Sequence, residues 1–206
     1  MAAKKMLWII LTLLLNISTW GQSGKQIPLI LQPDTRVWLE GTSTMHDYRA
    51  NASRILGTVI ADSAIFGEWK RNSSRLLHKV EMIIPVKSLL SGDEKLDENM
   101  YDALKADDHE NITYRMSNAS VAFAGGDTAT LRTVGTLSVG GKEKESEMSV
   151  TLLRHEDGIL RIKGNTDLLM TDFDIDPPTF MFVLTTDNKV KISFDLLLQP
   201  QTHVHK

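Results

Sequence analysis

The chain has 206 residues, 42% of them hydrophobic, with 23 basic and 26 acidic side chains and a formal charge of −3. That is enough for one domain with its own core, and a mildly acidic chain without clustered Lys/Arg argues against nucleic acid as a partner. The absence of cysteine excludes disulfides, thiolate metal sites, a thiol nucleophile and a lipid-modified N-terminal cysteine.

The N-terminus reads "MAAKKMLWIILTLLLNISTWGQ". Lys4 and Lys5 precede an apolar run, Met6 to Leu15, and Thr19-Trp20-Gly21 offers small-residue cleavage chemistry. The run is too short to span a bilayer comfortably, which takes about 20 residues. Residues 1–21 are therefore expected to be a secretory signal peptide cut near Gly21, and the protein to be exported, periplasmic or extracellular. Its stability would then rest on the core alone. Residues 22–33 read as a short polar lead-in, residues 34–199 as one domain, and residues 200–206 as a frayed tail carrying His203 and His205.

Within the domain, segment after segment alternates apolar and polar residues. "TRVWLEGTS" sets Val37 and Leu39 on one face; "LLHKVEMIIPVKSLL" sets Val80, Met82, Ile84 and Val86 in register. Met148, Val150 and Leu152 oppose Glu147, Ser149 and Thr151, and the last segment aligns Val190, Ile192, Phe194, Leu196 and Leu198. Period-two patterns of this kind predict antiparallel strands with one wet and one apolar face. Turn chemistry recurs at Gly125-Gly126-Asp127, Gly140-Gly141, Asp157-Gly158 and Asp187-Asn188. One segment, "SGDEKLDENMYDALKADDHE", has helical spacing instead, with Leu96, Met100, Ala103 and Leu104 on one stripe. Ser91 and Glu94 have capping-box spacing, and Lys105 suits the negative end of the dipole. Many strands and one amphipathic helix predict an all-β domain, either a sandwich or a closed barrel.

Three readings compete for "LLMTDFDIDPPTFMFVL". Asp172, Asp174 and Asp176 occupy the first three ligand positions of an EF-hand loop, but Pro177 and Val183 stand where that loop needs Gly and Glu. A catalytic carboxylate pair lacks a basic or nucleophilic neighbour. A bend is favoured, because Pro177 and Pro178 cannot donate to a ladder. His46-Asp47, near Ser43 and Thr44, is favoured as turn hydrogen bonding over half of a hydrolytic triad. The Asn-x-Ser/Thr sequons at Asn51, Asn72, Asn111 and Asn118 are read as chance matches.

Several stretches in order carry a resemblance: Thr35-Arg36-Val37-Trp38-Leu39, "GTSTMHDY", "IPVKSLLSGDEKLDENMYDALKADDHENITY", "VGTLSVGGKEKE", "LLMTDFDIDPPT" and "DNKVKISFDL". From about Asp34 to Leu198 the chain resembles the YceI-like family of exported, lipocalin-like proteins. It departs from them at Asp174, where similar proteins usually carry Gly. The resemblance implies an antiparallel barrel of about eight strands with one inserted amphipathic helix. It also implies non-catalytic binding of a long-chain lipid, a polyisoprenoid, an isoprenoid quinone or a fatty acyl chain, without cofactor or metal. Candidate lumen-facing residues are Val37, Leu39, Met82, Ile84, Met100, Leu104, Met148, Val150, Leu152, Ile192 and Phe194. Two other readings stay open at this level: a lipid-modifying enzyme in the same barrel, and a solid-core barrel acting through its surface. Transient membrane contact and a homodimer stay open as partners.

Overall fold

The computed structural model describes residues 25–201 apart from Met45, Glu68, residues 70–74, Glu156 and residues 181–183. The expected signal peptide, the Asn72 sequon, Val183, His203 and His205 lie outside the described residues.

Among the described residues twelve strands follow one another: β1 (Gln26–Leu31), β2 (Arg36–Ser43), β3 (Asp47–Ala52), β4 (Leu56–Asp62), β5 (Leu77–Pro85), β6 (Leu89–Leu90), β7 (Asn111–Gly125), β8 (Thr128–Val139), β9 (Lys142–Arg154), β10 (Leu160–Leu169), β11 (Thr179–Phe180) and β12 (Leu184–Pro200). Among the described residues one α-helix, α1 (Glu94–Ala103), interrupts them between β6 and β7. Eight strands form a closed antiparallel ring in the order β1-β4-β5-β7-β8-β9-β10-β12, and β1 pairs back onto β12. The ring leaves no free edge among these strands, which is how a barrel disposes of unpaired backbone groups.

The closing strand β1 lies inside the stretch that reads as a polar lead-in. It pairs with β4 from Gln26↔Asp62 to Leu29↔Val59 and with β12 from Leu29↔Pro200 to Leu31↔Leu198. Further along, β12 exchanges β1 for β2, which it pairs from Asp195↔Arg36 to Val190↔Gly41. Pro33 has no N–H to offer between the two strands. There the Gln32 N–H donates to the Leu197 carbonyl at 2.8 Å, and the Thr35 hydroxyl both donates to that carbonyl and accepts from the Leu197 N–H. The ladder thus crosses the break, and β2, β3 and β6 continue the wall.

Two turn expectations need correction. Asp187-Asn188 is not a hairpin turn; it sits inside β12, where the register against β2 shifts between Thr186 and Val190. The same residue chemistry serves a bulge as well as a turn. Its Asn188 side chain accepts from the Thr171 N–H at 3.0 Å and donates to the Thr171 hydroxyl at 2.9 Å. Likewise β10 ends at Leu169, well before the double proline, in a short 3-10 turn over Met170–Phe173. Pro177 and Pro178 instead lead into β11, and the Pro178 carbonyl accepts from both the N–H and the hydroxyl of Thr186.

Helix α1 starts at Asp93 rather than Ser91. The Asp93 carboxylate accepts from the Leu96 N–H at 3.0 Å, while Ser91 donates through both N–H and hydroxyl to the buried Asp97 carboxylate. Lys105 lies past the last turn in the left-handed region, φ +54. The Tyr101 hydroxyl ties the helix to the wall by donating to the Leu89 carbonyl at 2.7 Å.

Candidate functional site

The apolar side chains inside the ring divide into two packed groups with space between them. At one end Leu29, Val59, Ile65, Trp69, Leu131, Leu152, Leu160 and Leu198 form a solid plug. A 3-10 turn over Ser63–Phe66 helps to seal it: the Asp62 carboxylate accepts from the Ala64 N–H, and the Trp69 indole donates to the Ile65 carbonyl at 2.7 Å. At the other end Val139, Phe173 and Ile175 pack with Ala103, Leu104, Leu137 and Met170, so α1 and the strap from Met170 to Pro178 make a cap.

Between plug and cap lies a cavity of about 250 Å³ with an almost wholly apolar lining. Ten of the proposed residues line it: Val37, Leu39, Met82, Ile84, Met100, Leu104, Met148, Val150, Ile192 and Phe194. Leu152 does not. It is fully buried opposite Ala129 and Ile162, one inward step beyond Val150, where the side chains of the plug already meet. Alternation puts a residue on the inner face but says nothing of its depth along the barrel.

Other lining residues were not singled out by sequence pattern. Phe173 and Ile175, both buried, alternate with the three aspartates. The eye goes to the charges, whereas the apolar partners between them face inward. The charges themselves hold the strap: Lys142 pairs with Asp174 at 2.9 Å and Lys144 with Asp172 at 2.8 Å, both lysines standing on β9. The Lys142 ammonium holds the Asp174 carboxyl below its usual range. Asp174 also takes the left-handed backbone, φ +55, that explains why glycine suits this position. His46 lies in the β2–β3 turn, where its carbonyl accepts from the Ser43 N–H and hydroxyl.

Tyr48 and Tyr114 are the titratable side chains among the described lining residues. Burial pushes both phenols up; the Asp187 charge adds to the rise at Tyr48, and the Thr133 hydroxyl offsets part of it at Tyr114. No Asp, Glu, Lys, Arg or His is among the described residues of the lining.

A closed antiparallel ring of eight strands around an apolar hollow, capped by one helix, places the molecule with the lipocalin-like barrels, whose interiors are wide enough for one small ligand. The chain belongs to the YceI-like domain family, which it matches over residues 37–198. No curated protein matches it. Among solved structures it is similar to BcnA of Burkholderia cenocepacia, at 17% identity and a TM-score of 0.65 over 82% of this chain and 99% of that one. It is also similar to a polyisoprenoid binding domain from Saccharophagus degradans implicated in plant cell wall breakdown, at 10% identity and TM-score 0.63 over 85% and 99%. The YceI protein of Campylobacter jejuni follows at 13% identity and TM-score 0.55 over 75% and 85%.

Proposed function

We propose that the protein takes the chain of a long lipid, such as a polyisoprenoid, an isoprenoid quinone or a fatty acyl chain, into the barrel and holds or passes it on without covalent chemistry. The observation that carries this reading is the hollow between plug and cap, bounded by methyl, methylene, thioether and aromatic groups. Burying each methylene contributes about 0.8 kcal/mol relative to water. The competing site is a bilayer, in which the chain is already dry, so transfer between the two lies near balance and stays reversible. A cavity of about 250 Å³, just below the range of about 300–1,000 Å³ for ligand pockets, suits one extended chain rather than a bulky headgroup. The similar Saccharophagus degradans domain, described as polyisoprenoid binding, supports the same ligand class. The methionines at 82, 100, 116 and 148 give the lining an adaptable surface.

A catalytic reading needs an acid, a base or a nucleophile facing the substrate. The described lining supplies phenols and aliphatic hydroxyls without a basic partner, which favours binding over turnover. The N-terminal run supports export to the cell envelope, where lipid exchange with a membrane would take place. To test the reading, delipidated protein is mixed with phospholipid vesicles carrying a radiolabelled isoprenoid quinone. Saturable, one-to-one uptake is expected. Uptake no greater than that of an unrelated protein of equal size overturns the proposal.

A further inference from the structure

Hydroxyls gather along one wall of the lumen. Four consecutive strands of the ring, β7, β8, β9 and β10, present Tyr114, Thr133, Ser146 and Thr166 to the cavity. The lining side chains of β4 and β5 are apolar, whereas β2 adds Trp38 and β3 the Tyr48 phenol, which lies over Gly41. Two further hydroxyls at the cap are already committed, Thr186 to the Pro178 carbonyl and Ser91 to Asp97. The band sits at mid-depth. Along β8 the inward positions run Leu131, Thr133, Gly135, Leu137 and Val139, with Leu131 in the plug and Val139 in the cap.

Within the band Tyr114 stands out. Its ring lies over Gly135, where a Cβ would come 2.6 Å from Tyr114 Cζ, so the glycine seats the phenol flat against the wall. The phenol oxygen is buried and has no hydrogen-bond partner. Thr133 offers only a weak contact: its hydroxyl, close enough to temper the phenol's rise, donates to the Met148 carbonyl at 3.2 Å and does not meet the phenol in good hydrogen-bond geometry. Burial also keeps the phenol protonated, and hence a donor. A buried O–H without a good acceptor carries a desolvation penalty that a ligand oxygen would remove.

We propose that Tyr114, with Thr133 and Ser146 beside it, forms a polar subsite for an acceptor oxygen on the ligand. The ligand is then an amphiphile whose carbonyl, of the ketone, quinone or carboxamide kind, is carried inside the barrel at mid-depth rather than left at the mouth. This rests on the lipid-binding reading above and narrows it: a plain hydrocarbon of equal length fills the same space but leaves the Tyr114 O–H unpaired. A site built around a donor discriminates against analogues that lack the matching acceptor.

The test uses phosphatidylcholine vesicles carrying radiolabelled 2-heptadecanone or heptadecane, mixed with delipidated wild-type or Tyr114→Phe protein. Bound ligand is counted after the vesicles are sedimented. The wild type is expected to take up both saturably, and Tyr114→Phe to weaken ketone uptake about five- to tenfold more than alkane uptake. A second readout needs no variant: the infrared carbonyl stretch of the ketone bound to wild-type protein should lie below its position in heptane. Ketone and alkane losses of equal size, or an unshifted carbonyl band, overturn the subsite and leave the carrier reading standing. Failure of the wild type to take up either compound overturns both.

Discussion

Small residues decide how much room the barrel has inside. At Gly164 on β10 a Cβ would stand 2.5 Å from Phe194 Cζ and 3.1 Å from Val150 Cγ1; at Gly57 on β4 it would meet the Met82 sulfur at 2.7 Å. In each case a large inward side chain lies across the bare backbone of its neighbour, flat to the wall. The space left over is the cavity. Gly164→Ala should therefore push Phe194 into the lumen, destabilising the fold by about 1–3 kcal/mol as overpacking does and reducing saturable lipid uptake several-fold. Gly57→Ala is the contrasting case, because the tip of a methionine swings aside more readily than a ring held between strands. Thermal unfolding and vesicle uptake on the two variants check this; equal effects at both sites would refute it. These glycines are visible in the sequence, but their role is not. A glycine in an alternating run marks a close approach without saying which side chain lies over it.

At the scale of elements, cap and wall differ in how they are held. The wall is a continuous backbone ladder, whereas α1 rests on one apolar stripe, the Tyr101–Leu89 hydrogen bond, the Ser91 hydrogen bonds to Asp97 and its Asp93 cap. The stripe was legible, since Leu96, Met100, Ala103 and Leu104 recur at helical spacing and all four line the cavity. The cap was not: Ser91 and Asp93 are both good N-cap residues, and only the engagement of Ser91 with Asp97 leaves Asp93 to take the Leu96 N–H. Asp187-Asn188 reads as a turn for a similar reason, as a bulge and a turn draw on the same side chains. Loss of an N-cap costs about 1 kcal/mol. Asp93→Ala should thus speed amide exchange in residues 94–103 about fivefold, by local opening, and leave exchange in the ring strands unchanged. Uniform acceleration throughout the chain would instead mean that cap and wall open as one unit.

Closure belongs to the whole molecule, and alternation could not reveal it. Strands of a sandwich and strands of a barrel share the same period, and β1 is short, contains Pro28 and lies ahead of the family match that begins at residue 37. What closes the ring is pairing between residues 29–31 and 198–200, far apart in the chain, together with the hydrogen bonds of Gln32 and Thr35 to Leu197. The buried side chains of this seam, Leu29 and Leu198, lie in the plug with Val59 and Ala61, so the seam and the floor of the cavity are one structure. A chain beginning at residue 34 would keep every strand of the cap end, including β2, yet expose the edges of β4 and β12 and the plug residues behind them. Such edges seek new partners. The truncated protein should accordingly bind a hydrophobic dye, self-associate on a sizing column and lose saturable lipid uptake, although residues 37–198 are all present. A monomeric, dye-negative truncation that still takes up lipid would show that β1 merely decorates a ring closed by other means.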